Sequence, residues 1–308
     1  MKMNRVAVIG ECMVELKKDG DLYRQNFGGD TLNTALYLSR LTQSHGITTA
    51  YVTGLGKDPF SSEMLAAWQE EGISTDMVKL SDSKLPGIYT ISTTPDGERS
   101  FNYWRNDSAA RYWLRECPEA DLVTQLKQFN LVYLSGISLA ILPEDCREIL
   151  LNILTQCHED GVKIAFDNNY RPTLWESPES ARQLYEKVLR LTDTAFLTFD
   201  DEQALYGDST EQEAIQRTLD FGVREVVIKR GADECFIVTR DDFVSVPATL
   251  VSNVVDTTAA GDSFSAGYLA KRLLGGTMSE SASAGHTLAG TVIQYPGAVI
   301  PHQAMPNI

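Results

Sequence analysis

Two aspartates enclose a run of small residues near the end of the chain, in the stretch DTTAAGDSFSAG at residues 256–267. A helical pattern follows, so the small residues are expected at the start of a helix. Backbone N–H groups at a helix start lack intrahelical acceptors, and the helix dipole favours anions there. The stretch therefore predicts an anion-binding loop that presents the N–H groups of residues 258–261, among them Ala259, Ala260 and Gly261.

Asp262 stands directly beside this predicted loop, in the first turn of the helix. An acid at that position ordinarily compensates the helix dipole. Beside a bound polyphosphate, the same carboxylate could instead accept a proton from an attacking hydroxyl group. The stretch alone is also compatible with a plain N-capped helix. The sequence has no P-loop motif and no strand-linked G-x-G-x-x-G, which disfavours a P-loop enzyme or a dinucleotide-binding fold.

Composition and charge narrow the classes of function. The chain has 308 residues, of which 43% are hydrophobic and 22% charged, enough for one large domain with a substantial core. A net charge of −15 argues against nucleic acid or an anionic membrane as a partner. The five cysteines are scattered and never spaced C-x-x-C, which fits a reducing cytoplasm. No apolar run reaches the length of a membrane span.

Apolar, β-rich runs alternate with helical patterns along most of the chain, beginning with RVAVIG and then TLNTALYLSRL. This alternation predicts an α/β fold with three layers, a Rossmann-like parallel sheet covered on both faces by helices. The segments 12–28 and 87–106 interrupt it with antiparallel hairpin patterns, the second with a turn at residues 94–97. We expect one domain over residues 1–308, in which the two inserts form a small β-sheet lid. The outer face of such a lid could pair with a second copy to make a dimer.

Four motifs together resemble those of the ribokinase-like (PfkB) carbohydrate kinases, in the order expected for that family. They are FGGD at 27–30 with Asn33, GLGKD at 54–58, KRGAD at 229–233 and the DTTAAGD at 256–262. Three positions depart from the family pattern. Ala259 replaces the usual loop glycine, FDDE at 199–202 lacks the asparagine of the N-x-x-E motif, and the K-x-G-x-x-G region lacks its last glycine.

The resemblance implies an ATP-dependent kinase that uses Mg²⁺, with Asp262 as catalytic base and Ala259, Ala260 and Gly261 binding the migrating phosphoryl group. Within the family the chain most resembles the kinases of 2-keto-3-deoxygluconate, through GECMVEL, FGGDTLNTA, YWR at 103–105, DNNYRPTLW and Gly297. A kinase for a neutral sugar such as fructose or ribose, a nucleoside kinase and a non-catalytic sugar-acid sensor remain alternatives.

Two arginines favour an acidic substrate over a neutral one. Arg105 ends a lid strand and Arg171 follows a predicted strand end. A guanidinium matches a carboxylate in a bidentate fork, whereas a neutral sugar has no need of it. Each arginine could equally form a surface salt bridge. The predicted substrate-binding residues are Gly29, Asp30, Asn33, Tyr89, Tyr103, Arg105, Arg171 and Asp262. For Asp30, helix capping is an equal alternative, and Tyr89 and Tyr103 could merely pack across the hairpin.

The nucleotide side is expected at or after other predicted strand ends. Its candidates are Asn169, Arg171, Thr198, Lys229, Gly231, Ala232, the three loop residues and, from the resemblance, His286. Lys229 could equally be a solvated strand terminus, and a lone helical histidine is commonly structural. Asp256 and Glu202 are the candidate magnesium-side residues, acting through water.

Overall fold

The strands and helices follow the predicted alternation. The computed structural model describes residues 4–93 and 99–308, so the turn predicted at 94–97 lies outside it. The strands are β1 (Arg5–Ile9), β2 (Met13–Asp19), β3 (Leu22–Gly28), β4 (Thr48–Val52), β5 (Gly54–Leu55), β6 (Lys79–Leu80), β7 (Ile88–Thr93), β8 (Arg99–Trp104), β9 (Leu131–Ser135), β10 (Lys163–Asp167), β11 (Thr194–Thr198), β12 (Glu225–Lys229), β13 (Cys235–Val238) and β14 (Phe243–Val246). The helices are α1 (Asp30–Thr42), α2 (Pro59–Glu70), α3 (Glu119–Leu126), α4 (Gly136–Ala140), α5 (Glu144–Glu159), α6 (Pro178–Leu189), α7 (Phe199–Tyr206), α8 (Glu211–Asp220), α9 (Ala260–Leu273) and α10 (Met278–Val292).

The larger sheet has the strand order β14-β13-β12-β11-β10-β9-β1-β4. Strands β12, β11, β10, β9, β1 and β4 pair in parallel, whereas β13 and β14 add an antiparallel edge. Crossover connections between parallel strands require helices on the faces of the sheet. The predicted α/β class with a mostly parallel central sheet is confirmed.

Both faces of this sheet are buried, which is why its strands read as continuous apolar runs. In β1, Val6 and Val8 belong to one hydrophobic cluster, whereas Ala7 and Ile9 belong to the other. Successive side chains of a strand point to opposite faces, so a sheet covered twice needs apolar residues at every position. The two clusters are the two interfaces of a three-layer arrangement.

A second sheet has the order β3-β2-β7-β8 and is formed by parts of the two inserted segments. Each insert is an antiparallel hairpin, β2 with β3 and β7 with β8, and the hairpins join through a parallel pairing of β2 with β7. Tyr89 lies opposite Tyr103, and Ile88 lies opposite Trp104. Cross-strand partners share a face and successive residues alternate between faces, so Tyr89 and Tyr103 lie on one side of the sheet and Ile88 and Trp104 on the other.

The parallel strands all end along one edge of the larger sheet, and polar residues stand at those ends. Ser135, Asp167, Thr198 and Lys229 are the last residues of β9, β10, β11 and β12. In open α/β sheets, ligands bind outside the carboxyl ends of the strands. Helices α1 and α9 begin at the same edge and pack against each other, so their N-termini complete the rim.

Candidate active site

A cleft of about 510 Å³ lies between this edge of the larger sheet and the second sheet. It brings together most of the predicted residues of the substrate and phosphate sides. These are Gly29, Asp30, Asn33, Tyr89, Tyr103, Arg105, Asn169, Arg171, Thr198, Lys229, Ala259, Ala260, Gly261 and Asp262. Residues for which the sequence analysis assigned no role, among them Glu11, Glu15 and Asp167, line the same cleft.

Asp262 is oriented by Asn33, which lies 229 positions earlier in the chain. Asn33 Nδ2 donates a 2.8 Å hydrogen bond to Asp262 Oδ2. Both residues lie in the first turn of their helices, α1 and α9, so the packing of two helix N-termini creates the contact. The oxygen of the same amide, Asn33 Oδ1, is buried without a partner in the described part of the chain. A buried polar atom without a partner is costly and marks a place where a ligand hydroxyl would be favourable.

The surroundings of Asp262 favour its protonated form. Burial raises the pKa of the carboxyl from 3.8 to about 7, and the negative charges of Asp30 and Asp167 add to the rise. The hydrogen bond from Asn33 and the charge of Lys229 act in the opposite direction. A carboxyl group with a pKa near 7 can exchange protons at physiological pH, as a general base must.

The Asp30 carboxylate accepts a second set of side-chain hydrogen bonds in the cleft. Its Oδ2 atom accepts hydrogen bonds from Ser135 Oγ at 2.6 Å and from Asn169 Nδ2 at 2.7 Å. Asn169, which the sequence analysis assigned to the nucleotide side, thus reaches Asp30 on the substrate side. Its backbone has a φ of 30°, a conformation that asparagine tolerates better than most residues. Contacts from Ser135, at the end of β9, and from Asn169, just after β10, hold the Asp30 carboxylate in place.

The loop before α9 is more constrained than the sequence suggests. Ala259 has a φ of 61°, in the left-handed region that favours glycine, which explains the glycine usual at this position of the motif. Two of the four expected N–H donors are used internally: Thr258 N–H donates to Asp256 Oδ1 and Ala260 N–H donates to Thr257 O. Among the described residues, the N–H groups of Ala259 and Gly261 have no such partner.

Asp256 forms hydrogen bonds that hold the loop before α9 in place. Its Oδ1 atom accepts from the N–H and the hydroxyl of Thr258, and its Oδ2 atom accepts from Gly297 N–H at 2.8 Å. The side chain is buried and does not line the cleft. The carboxylate therefore connects the anion loop to the C-terminal segment.

Lys229 and Asp167 form a buried charge pair at the floor of the cleft. Lys229 Nζ lies 2.7 Å from Asp167 Oδ2, which also accepts from Ser265 Oγ at 3.0 Å. A methyl group placed on Gly261 would lie 3.4 Å from the same Nζ, so the ammonium stands next to the anion loop. The Lys229 side chain is only 11% exposed, which excludes the alternative that this lysine is a solvated residue at a strand end. Asp167 was missed, although an aspartate that ends a buried strand was a usable signal.

A second, mostly apolar cavity of about 330 Å³ lies beside the anion loop, which contributes Thr257 and Ala260 to its wall. The predicted nucleotide-side residues Gly231, Ala232 and His286 line this cavity and not the main cleft. His286 Nε2 lies 3.1 Å from Val246 O, and burial lowers the pKa of the imidazole. The histidine is thus neutral and structurally anchored while also bordering the cavity.

The second sheet covers the cleft with aromatic side chains. Tyr89 is buried and stacks on Tyr103 at 5.7 Å between ring centroids, and its hydroxyl donates to Glu15. Burial, followed by the Glu15 charge, raises the pKa of Tyr89. A side chain at Gly28 would start 2.2 Å from the Tyr89 hydroxyl, and one at Gly29 would start 2.2 Å from Glu11 O. The two glycines therefore permit the close approach of Tyr89 in β7, and of the segment between β1 and β2, to the start of α1.

The two arginines occupy different environments. Arg105 is buried and its Nη2 donates to Glu11, so it is not a surface salt bridge. The Arg171 side chain is half exposed, and its Nη1 donates to Tyr170 O at 2.8 Å and to Asp201 Oδ1 at 3.2 Å. Burial raises the pKa of Asp201, and the Arg171 charge opposes the rise. Both arginines line the cleft, Arg105 beside the second sheet and Arg171 beside the strand ends of the larger sheet.

Glu202 lies beneath the cleft and does not line it. Its Oε1 accepts from Asn168 Nδ2 at 2.8 Å, its Oε2 pairs with Arg217, and burial raises the pKa of the carboxyl. The acids at the start of α7 that do line the cleft are Asp200 and Asp201, close to Thr198 in the chain. In the described ranges, no group of three or more His, Cys, Asp or Glu side chains is arranged to hold a metal ion. Likewise, none of the described helices combines the length and apolarity that crossing a membrane requires.

This fold and cleft define a carbohydrate kinase. The family model described as pfkB family carbohydrate kinase matches residues 3–305, and the chain belongs to that family.

Full-length relatives give a narrower comparison. The chain is 54% identical to the 2-dehydro-3-deoxygluconokinase of Dickeya dadantii, across 99% of this chain and all of that one. It is 50% identical to the Escherichia coli K12 protein of the same name, across 98% and 99% of the two chains. A putative ribokinase II from E. coli, solved with ATP and Mg²⁺, has the same fold, with a TM-score of 0.83 at 22% identity over 96% of this chain and 94% of that one.

Proposed function

We propose that the protein transfers the γ-phosphoryl group of ATP to the terminal hydroxyl of 2-keto-3-deoxygluconate, also called 2-dehydro-3-deoxygluconate, and releases its 6-phosphate and ADP. The observation that carries the proposal is the single cleft in which the Asp262 carboxylate, the anion loop and the buried Arg105 meet. Full-length relatives at 54% and 50% identity that bear this name support the choice of substrate. The whole chain would act as one kinase domain, with the second sheet as its lid.

In this mechanism, the oxygen of the substrate hydroxyl forms a bond to the γ-phosphorus, and the bond between the γ-phosphorus and ADP breaks. Asp262 accepts the proton of the hydroxyl as this happens. Asn33 keeps the receiving carboxylate in place through its hydrogen bond to Oδ2. The N–H groups of Ala259 and Gly261, together with the Lys229 ammonium, would stabilise the charge on the migrating group. Most of the acceleration in such a transfer comes from positioning and charge neutralisation.

The balance of charges in the cleft supports a metal–nucleotide complex as the phosphoryl donor. Seven carboxylates line the cleft, against the cationic side chains of Arg105, Arg171 and Lys229. They are Glu11, Glu15, Asp30, Asp167, Asp200, Asp201 and Asp262. Magnesium would neutralise phosphate charge in such acidic surroundings, bound by the phosphates, by water and by one or two carboxylates. Asp200 and Asp201 fit this role better than Asp256 and Glu202, whose oxygens are all hydrogen-bonded to the protein.

We expect the rate to follow the ionisation of Asp262. Because a general base must be unprotonated, kcat/KM for the sugar acid should rise with pH and reach half its plateau near the Asp262 pKa of about 7. Replacing Asp167 by asparagine removes a nearby negative charge, which lowers the pKa of Asp262 and should move the curve to lower pH. The measurement is a pH–rate profile of both proteins.

A matched control for this experiment is Asp193→Asn. Asp193 is also buried and pairs with Lys163, but it lies at the opposite end of the sheet from the cleft. Its substitution should leave the position of the profile unchanged. A flat profile between about pH 5.5 and pH 8.5 would contradict the role of Asp262 as a base.

Substrate choice is tested by a coupled ADP-release assay with 2-keto-3-deoxygluconate, other hexonic acids, fructose and ribose. The first should have the highest kcat/KM, because only the acids can use the guanidinium of Arg105. Faster turnover of fructose or ribose would instead identify a neutral-sugar kinase. If none of the compounds supported ATP consumption, the result would match a non-catalytic sensor.

We also propose that the protein self-associates through the outer face of the lid. Trp104 and Tyr23 lie on that face and are 61% and 54% exposed. Large apolar side chains exposed on one face of a sheet are typical of an interface. Trp104→Glu should lower the molar mass measured by light scattering, whereas Phe243→Glu, 55% exposed on the far edge of the large sheet, should not. Equal masses for wild type and Trp104→Glu would refute this interface.

A further inference from the structure

Arg105, at the end of a lid strand, forms an ion pair with Glu11, which lies between the larger sheet and the lid. Glu11 stands between β1 of the larger sheet and β2 of the lid, and Arg105 directly follows β8. Arg105 Nη2 donates to Glu11 Oε2, and Ser108 Oγ donates to Glu11 Oε1. Glu11 is 2% exposed and Arg105 is 7% exposed, so water screens their attraction little. Both line the cleft.

The guanidinium is only partly satisfied by this arrangement. Arg105 Nε is buried and has no hydrogen-bond partner within residues 4–93 and 99–308. A guanidinium carries five N–H donors in a rigid plane, so fixing Nη2 also fixes the direction of the remaining donors. An unpartnered buried donor is unfavourable until an acceptor arrives. A carboxylate bound next to Arg105 would be such an acceptor.

Without Glu11, Arg105 would be a buried cation with no counter-ion. Burying an unpaired charge is strongly unfavourable, so the long side chain would turn towards solvent. Tyr103, whose ring centroid lies 5.8 Å from the guanidinium, is itself half exposed and cannot supply a negative charge. Among the described residues, Glu11 is the acid that pairs with Arg105.

We infer that Glu11 is the positioning residue for the substrate carboxylate. It keeps the Arg105 guanidinium in the cleft, in one orientation, before the sugar acid binds. This inference rests on the proposed function, because it assigns Arg105 to the carboxylate of the acid. Glu11 itself does not touch the reacting atoms; it acts through Arg105.

The test compares Glu11→Ala and Glu11→Gln with the wild type. Glu11→Ala should raise KM for 2-keto-3-deoxygluconate by about tenfold or more, because a misplaced guanidinium loses its charge-assisted hydrogen bonds. KM for ATP and kcat at saturation should change by less than about twofold, since the phosphoryl side is untouched. Glu11→Gln keeps an oxygen for Arg105 Nη2 and an amide for Ser108, so it should rescue most of the loss, to a KM about threefold above wild type.

Glu225→Gln is the matched control. Glu225 is also buried and paired with an arginine, Arg272, but it lies at the start of β12, away from the cleft. Its substitution should leave KM for the acid unchanged. If Glu11→Ala does not fold, Glu11→Gln alone decides, and a KM for the acid equal to wild type then overturns the inference.

A double-mutant cycle separates positioning from direct contact. In an Arg105→Ala background, Glu11→Ala should give no further rise in KM for the acid, because Glu11 then has no arginine to hold. A further rise there, or a lower KM for Glu11→Ala alone, would overturn the inference. A wild-type protein that phosphorylates neutral sugars but not the acid would refute the proposed substrate itself, an outcome visible before any variant is made.

Discussion

Asp262→Asn should lower kcat for the sugar acid by a factor on the order of 10³ or more, the scale expected for the loss of a general base. Asparagine has the shape of aspartate but cannot accept the hydroxyl proton. ATP binding should persist, because the Asp262 carboxylate contacts Asn33 on the substrate side. The measurements are single-turnover phosphoryl transfer and ATP titration of the variant.

Stability provides an internal control for this variant. The folded-state pKa of Asp262 is raised from 3.8 to about 7, so the folded protein binds a proton more tightly than the unfolded chain does. By linkage, this group makes the free energy of unfolding fall as pH rises between about 4 and 7, and the deficit persists at higher pH. Asparagine carries no such cost. At pH 8 the variant should therefore melt at a temperature equal to or above that of the wild type.

An inactive Asp262→Asn that is as stable as wild type would thus have lost chemistry and not its fold. Asp193→Asn, which removes a buried carboxylate at the other end of the sheet, should keep its kcat even if its Tm falls. A kcat within tenfold of wild type for Asp262→Asn would end the assignment of this residue as the base.

Arg105→Ala should raise KM for the sugar acid by about 100-fold, because two charge-assisted hydrogen bonds of about 1.5 kcal/mol each would be lost. The buried Glu11 carboxylate would also be left unpaired and would repel the substrate anion. KM for a neutral sugar should rise far less. Initial rates over a range of acid, neutral sugar and ATP concentrations measure the three effects.

Removing one partner of a buried ion pair also lowers stability, so a control must match that cost. Arg272→Ala breaks the pair with the buried Glu225 at the far end of β12 and should lower Tm without changing KM for the acid. Arg105→Lys keeps the charge but not the planar fork and should fall between wild type and Arg105→Ala. Equal rises in KM for the acid and for a neutral sugar would remove the carboxylate role of Arg105.

Local sequence patterns were sufficient for the fold class and for the position of the loop of small residues before α9. Strand–helix alternation is repeated many times along the chain, so an error in one element leaves the class unchanged. Asp262 lies six positions from Asp256 in a single continuous stretch, so its place at a helix start could be predicted from neighbouring residues alone. The two inserts were likewise recognisable, because antiparallel hairpin patterns interrupt a crossover series.

The partners of the site residues could not be predicted in this way. Asp167 and Lys229 are 62 positions apart, Glu11 and Arg105 are 94 apart, and Asp30 and Asn169 are 139 apart. No periodicity links such pairs; they meet because strand ends and helix starts converge on one edge of a sheet. The same holds for the left-handed backbone at Ala259, which the surrounding contacts impose against the preference of alanine.

The sequence by itself therefore determined which kinds of chemical group this protein carries and the order in which the chain presents them. The tertiary structure decided which charges face each other, and so how strongly each group holds its proton and which donors remain for a ligand. The physical reason is that hydrophobic periodicity is a property of neighbours in the chain. Burial and electrostatic interaction depend instead on distances in space, which only the folded packing sets.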